Sequence, residues 1–361
     1  MEMLFQLPVL KEIDLHRVIC RILEHAGTSP EEASRVADHL VLSNLTGHDS
    51  HGAILLPTYL EQIRKGEIVL RAKIEMARET PSACVLDGNW GFGQVIAKKA
   101  MEIAIEKADT HSISLVTVRR SNHIGRLGEY PVAAAQRGMI GMISVNDYGA
   151  GQLMAPFGGI DARLSPNPIS IAFPSGRDKP ILLDMSCSVV AAGKVRVRLN
   201  RDERLPEGWI IDAKGQPSTD PRDLFGPPPG AILPLGGLTL GHKGFGLGFV
   251  LDVLDGALSG AGCTREGATR IGNAYFIIAM KISDFVPLDE FEKEVERFIE
   301  YVKSSPLMPG FKEILVPGES EFREEERRRR EGIEIDENTW NQILEAATKV
   351  GYEIDLDFPK K

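Results

Sequence analysis

Apolar residues recur at helical spacing mainly near the two ends of this chain, and that division constrains the fold more than any single motif. From about residue 13 to residue 65 the pattern is helical. Val18, Ile19, Ile22 and Leu23 share one face, with Asp14 as the candidate cap. Thr28-Ser29-Pro30-Glu31-Glu32 reads as the next helix start: a hydroxyl cap, proline in the first turn, and acids at the positive end of the dipole. Val36, Ala37, Leu40 and Val41 continue its apolar face, and a third helix is expected over 51–64. Helix returns at Pro287-Leu288-Asp289-Glu290, followed by Phe291, Val295, Phe298, Ile299 and Val302.

The middle has a different texture. Short β-like runs are expected over 83–86, 114–118, 140–145, 169–173, 181–183 and 275–280. Two helix candidates lie between them, over about 93–108 and 243–258, and glycine and proline punctuate the rest. A chain of 361 residues with this alternation is an α/β protein of one large or two ordinary domains.

Composition removes several function classes. Lys and Arg number 42 against 51 Asp and Glu, a formal charge of −9. Nucleic-acid binding needs clustered positive charge in a folded segment, and none is evident. Arg327–Arg330 is flanked by glutamates and reads as a solvated helix face. Cys20, Cys84, Cys187 and Cys263 are far apart and form no CxxC pair, against a zinc knuckle, a thioredoxin motif or a disulfide framework. No secretory leader is visible in the first ten residues, and no apolar run approaches the about 18 residues of a membrane span. The expectation is a cytoplasmic protein without a membrane or nucleic-acid partner. GxGxxG is missing, because Gly91-Phe92-Gly93 and Gly244-Phe245-Gly246 each lack the third glycine. No phosphate loop and no GxSxG occurs either.

Four segments carry side chains suited to chemistry. Gly47-His48-Asp49-Ser50-His51-Gly52 joins two histidines, an acid and a hydroxyl between two helices. Histidine transfers protons near neutral pH, and a neighbouring hydroxyl or carboxylate fixes its tautomer. Asp49 or Ser50 could instead cap the following helix, and His48 with His51 could hold a metal. Arg119-Arg120-Ser121-Asn122-His123-Ile124-Gly125-Arg126 follows an expected strand; His123 is a second acid/base candidate, and the arginines suit a carboxylate or phosphate. Ser165-Pro166-Asn167-Pro168 precedes a strand pair that ends in Asp184, whose half-buried carboxylate needs a partner, a histidine being the natural one. Finally, the glycine-rich stretch from Gly236 to Gly248, with His242 and Lys243, runs into an apolar helix. It suits either a pyrophosphate or tight helix packing.

HDSHG, SNHIGRLGEY, SPNPISIAFP, ILLDMSCSVVAAGKV, GWIIDAKGQPSTDP, GHKGFGLGFVLDVLDGALSGA and VPGESE occur in the chain. Together they resemble the type 2 malate/L-lactate dehydrogenase family, NAD(P)-dependent 2-hydroxyacid oxidoreductases unrelated to the Rossmann dehydrogenases. The likeness runs from about residue 13 to residue 319. It implies a mixed α/β, non-Rossmann fold, with a mostly antiparallel cofactor domain over 76–287. It also implies a helical substrate and dimerisation domain from 1–75 with 288–361, and a homodimer. Hydride transfer would link NAD or NADP to C2 of a 2-keto or 2-hydroxy acid. By the family pattern, His51 would be the general acid, Ser50 and Asp184 its relay partners, and His123 its rival. Asn146, Asp184, Met185, Ser186, His242, Lys243, Gly318 and Glu319 would contact the cofactor.

One position departs from the pattern. Many members carry SHGxxRLPxY, whose arginine helps hold the substrate carboxylate. Here that position is Leu55, while Tyr59 is kept. Another cation must then hold the carboxylate, Arg126 being the first choice, and a less polar substrate side group is expected. The resemblance leaves room for a cyclic imino acid or a ureidoglycolate-type substrate. The histidine loop alone would also allow a metal-dependent hydrolase.

Overall fold

The computed structural model describes residues 8–147, 151–200, 202–268 and 270–354. Near the N-terminus, local signals place the helices. Helix α1 (Glu12–His25) begins after Lys11, not at the expected cap Asp14. Asp14 lies inside the first turn, where an acid favours the dipole, and pairs with Arg17. Helix α2 (Pro30–Leu45) starts where the cap signal predicts: the Ser29 hydroxyl accepts from the Glu32 N–H, and Pro30 occupies the first turn.

The third helical stretch is broken. Asp49–His51 and Ala53–Leu55 are single 3-10 turns ahead of α3 (Leu56–Arg64). Gly52, between them, is extended, and a Cβ there would collide with the Asn44 side chain. Asn44 accepts from the Ala53 N–H and donates to Asp49, so the HDSHG segment folds around it.

Strand β1 (Val9–Leu10) pairs with β12 (Ile333–Glu334), joining the two ends of the described chain. Their helices share one core: Leu15, Ile19 and Ile22 from α1, Val36 and Leu40 from α2, and Trp340 and Ile343 from α12 (Glu337–Lys349). Each fully buried Leu or Ile there contributes roughly 1.5–3 kcal/mol relative to exposure.

The middle folds into a seven-stranded sheet: β2 (Glu75–Glu79), β3 (Ala83–Asp87), β4 (Ile113–Ser121), β5 (Met139–Asp147), β6 (Ile169–Phe173), β7 (Ile181–Met185) and β11 (Asn273–Lys281). Their order is β2-β3-β4-β11-β5-β6-β7. Only β3 and β4 run parallel; α4 (Gly93–His111) connects them, and every other neighbouring pair is antiparallel. The sheet is therefore mostly antiparallel, as expected. Tyr275, Ile277 and Ala279 of β11 pack with residues of α4 and of α5 (Glu129–Ala135). Phe276 packs on the opposite side, with Leu251 of α9 (His242–Asp252). Burial on both faces explains why β11 reads as a continuous apolar run rather than an alternating one.

Helix α10 (Leu288–Lys303) sets Phe291 edge-on to Phe173 of β6, and α11 (Glu319–Glu331) contacts α2. A small sheet of β8 (Ile210–Ile211), β9 (Pro217–Ser218) and β10 (Ala231–Ile232) falls between β7 and α9. So do α6 (Ala192–Asn200), α7 (Arg222–Phe225) and α8 (Gly237–Leu240). Strands of two residues carry no periodicity, and the sequence reading missed them. Among the described residues, no helix is long and apolar enough to cross a membrane.

Candidate active site

Two loops bring the two candidate histidines together. His51 ends the first 3-10 turn and His123 follows β4; their rings lie 5.8 Å apart at 23°. Ser50 Oγ is 3.1 Å from His51 Nδ1, and Gly193 of α6 packs closely on Ser50. On the other ring, His123 Nδ1 lies 2.9 Å from the Tyr59 hydroxyl, which accepts from Gln94 Nε2 at 2.8 Å. The phenol has one proton, and with Gln94 donating to its oxygen, that proton goes to His123 Nδ1. The neutral His123 then carries its own hydrogen on Nε2.

Burial disfavours an imidazolium at either ring. The His51 pKa is lowered to about 3 by burial first, then by His123 and His48. That of His123 is lowered to about 4 by burial and then His39. Both rings are neutral at pH 7.

Arg126 lies in the buried turn that follows His123. Its N–H donates to His39 Nε2 at 3.0 Å, and its Nη1 to Thr46 Oγ1 at 3.0 Å. Its Nε approaches Asp184 Oδ2 at 3.2 Å, while Nη2 is buried without a hydrogen-bond partner among the described residues. Asp184 Oδ2 also accepts from the Gly128 N–H at 2.9 Å. Burial raises the Asp184 pKa, against the pull of Arg126 and Gly128. Asp184 was expected as a relay partner of His51, and its direct contacts lie elsewhere. Among the described residues, Asp184 makes no hydrogen bond to His51, because a buried guanidinium and a backbone N–H take its carboxylate. Arg119 and Arg120 turn away to Asp87.

The residues expected around a cofactor divide. Asp184 and Met185 close β7, and Ser186 follows it, its hydroxyl donating to the Ser188 carbonyl. Gly244 presses on the Cys187 carbonyl, docking the start of α9 on the turn after β7. His242 and Lys243 are exposed at that start; His242 meets Phe157 edge-on, and Lys243 has no ion pair among the described residues. Gly244 and Gly248 both serve close packing against Cys187. The Leu182 N–H donates to the Pro317 carbonyl, which lays Gly318 beside β7; Glu319 is taken by Lys303 and the Val316 N–H. Asn146 stands apart. It is 1% exposed and donates to Asp252 Oδ1 at 2.7 Å, an internal tie that satisfies a buried acid on α9.

Several supporting residues escaped the sequence reading. Arg328 was expected on a solvated face, but its side chain is only 12% exposed. It donates to Asp49 and to the Asn44 carbonyl, bracing the HDSHG loop. Gln94 and His39 carried no motif that marked them, and Glu129, though inside SNHIGRLGEY, was given no role. Among the described residues, no group of three or more His, Cys, Asp or Glu is placed to hold a metal, so His48 and His51 find no further ligand.

A family model described as malate/L-lactate dehydrogenase matches residues 10–344. The sequence is 40% identical to malate dehydrogenase of Pyrococcus abyssi over 94% of both chains. It is 35% identical to hydroxycarboxylate dehydrogenase B of Escherichia coli strain K12 over 93% of both. The solved structure of malate dehydrogenase from Pyrococcus horikoshii OT3 superposes with a TM-score of 0.87 at 37% identity, covering 96% of each chain. Fold and relatives define the class: a 2-hydroxyacid dehydrogenase assembled without the Rossmann turn. The chain belongs to the malate/L-lactate dehydrogenase family.

Proposed function

We propose that the protein interconverts a 2-keto acid and its 2-hydroxy acid with NAD(H) or NADP(H), and that His51 is its acid/base group. The observation that carries this reading is the buried Arg126, whose Nη2 has no hydrogen-bond partner among the described residues, in the turn that follows one of two stacked neutral imidazoles. A buried donor without a partner costs about 1–3 kcal/mol, and a guanidinium edge matches a carboxylate.

A bound nicotinamide supplies or takes the hydride at C2. This chain's residues do the rest. Arg126 holds the substrate carboxylate. His51 gives a proton to the C2 oxygen in reduction and takes it in oxidation, with Ser50 orienting its Nδ1. The Nε2–H of His123 steadies the same oxygen, held in place by Tyr59 and Gln94. Asp184 fixes Arg126. The fit of a dinucleotide rests on Lys243, a cation at the start of α9 with no ion pair among the described residues; the neighbouring Gly244 packs on Cys187 in the turn after Met185 and Ser186, and Gly318, ahead of Glu319, lies against Leu182 of β7. The terminal helical core would carry the substrate side and the sheet the cofactor side.

Leu55 packs against the terminal core and offers no charge to a second carboxylate. Monocarboxylic 2-keto acids should therefore exceed oxaloacetate in kcat/KM. The test is loss of reduced-nicotinamide absorbance with NADH and NADPH on pyruvate, phenylpyruvate, 2-ketoglutarate, oxaloacetate and a cyclic imine. Oxaloacetate faster than every monocarboxylic acid would overturn the preference. Silence across the panel together with no cofactor binding would overturn the reading. A homodimer is also proposed. Leu238, Leu240, Phe249, Val250 and Val253 are exposed on α8, α9 and its continuation, which supports a face covered by a second copy. Light scattering of the purified protein tests it, and a monomer across working concentrations would refute it.

A further inference from the structure

We propose that His39 and Glu129 are positioning residues that fix the substrate-anchoring guanidinium of Arg126 by holding the backbone of its turn. The inference rests on the reading of Arg126 as the carboxylate anchor. His39 comes from α2 and is 1% exposed. Its Nδ1 lies 2.6 Å from Glu129 Oε2, and its Nε2 accepts the Arg126 N–H at 3.0 Å. The other Glu129 oxygen takes Arg35, also on α2, whose Nε donates to the Gln94 carbonyl.

Proton placement follows from these contacts. An ionised carboxylate only accepts; burial pushes the Glu129 pKa up, but the contacts with His39 and Arg35 outweigh it and hold the pKa at about 2, so the His39 hydrogen resides on Nδ1. The Nε2 lone pair is thereby aimed at a backbone N–H that would otherwise be buried without a partner. Gly125 seals the arrangement. Its φ is +76°, and a Cβ there would overlap the His39 ring, so the turn lies flat on the imidazole. Moving the hydrogen to Nε2 would set two donors against each other and push the turn away.

Glu129→Gln makes that move. Its amide oxygen is needed by Arg35, so its NH2 faces His39 Nδ1 and drives the ring hydrogen to Nε2. The experiment compares Glu129→Gln, His39→Phe, His39→Gln and Arg126→Gln by steady-state kinetics on the best keto acid, with reduced-nicotinamide binding read by fluorescence. Glu129→Gln and His39→Phe should raise KM by about tenfold or more, since a displacement of about 1 Å can cost a hundredfold, with cofactor affinity unchanged. His39→Gln should keep KM within a few-fold, because its amide oxygen reaches the Nε2 position and accepts the Arg126 N–H. Should His39→Phe not fold, Glu129→Gln decides. A raised KM in Arg126→Gln alone, with wild-type KM in folded Glu129→Gln, would overturn the positioning role while leaving the anchor intact. An unchanged KM in Arg126→Gln would overturn the anchor, and this inference with it.

Discussion

The hydroxyl of Tyr59 lies 2.9 Å from Nδ1 of His123 while it accepts from Gln94 Nε2, an arrangement that favours the hydrogen of His123 on Nε2. Tyr59→Phe keeps the ring and removes the director. We expect turnover to fall about ten- to a hundredfold, the usual cost of losing a hydrogen bond that orients a functional histidine. Cofactor binding should not change. Unaltered turnover would show that the Nε2–H of His123 has no part in the reaction.

His51→Asn removes the proton carrier while keeping a polar group of similar reach. Turnover should drop by about 10²–10⁴, the range of general acid–base catalysis, and nucleotide affinity should survive. Stopped-flow hydride transfer and fluorescence titration separate the two quantities. Equal loss of both would assign the proton to another residue.

The pH dependence should be asymmetric between directions. With pKa values of about 3 for His51 and about 4 for His123, the base needed for oxidation is already deprotonated across pH 5–8. The kcat/KM for the hydroxy acid should therefore be flat there, while that for the keto acid falls about tenfold per pH unit. Stability follows the same sign. The unfolded chain protonates these rings near 6.5 and the folded one does not, so folding free energy is lost as pH falls from 6.5 toward about 3. Denaturant titrations at several pH values should show that slope shrink in His51→Asn. A sharp inflection near pH 6.5 in oxidation by the wild type, absent from that variant, would contradict the assignment.

Arg126→Gln should both raise the keto-acid KM and lower stability. Asp184 would be left buried without its cation, a change that costs about 3–5 kcal/mol in comparable pairs. Adding Asp184→Asn should restore much of the stability and none of the substrate affinity. Recovery of KM in the double variant would mean that Arg126 acts only through Asp184.

The elements that read clearly in sequence were those with long or repeated patterns. β5 and β11 are nine-residue strands with largely apolar centres buried by helices, and α2 announces itself through Ser29 and Pro30. His51, Ser50 and His123 were legible because polar residues cluster at expected element ends. The partner of Asp184 was not. Sequence shows that a half-buried carboxylate needs one, but the cation that supplies it comes from a turn after another strand. His39 resembles any polar residue on an amphipathic helix until Glu129 is placed beside it. Arg328 was hidden for a similar reason. In a run of four arginines, nothing local distinguishes the one that turns inward.

Arg328 and Asp49 are 279 positions apart. During synthesis, then, the loop bearing His51 leaves the ribosome long before its brace exists. At about 5–20 residues per second, that interval lasts tens of seconds. For that time Asp49 has no arginine to hold it, and β1 has no β12 to pair with. A nascent chain thus emerges with the HDSHG loop unbraced, and truncated translation products that end before α11 keep it so.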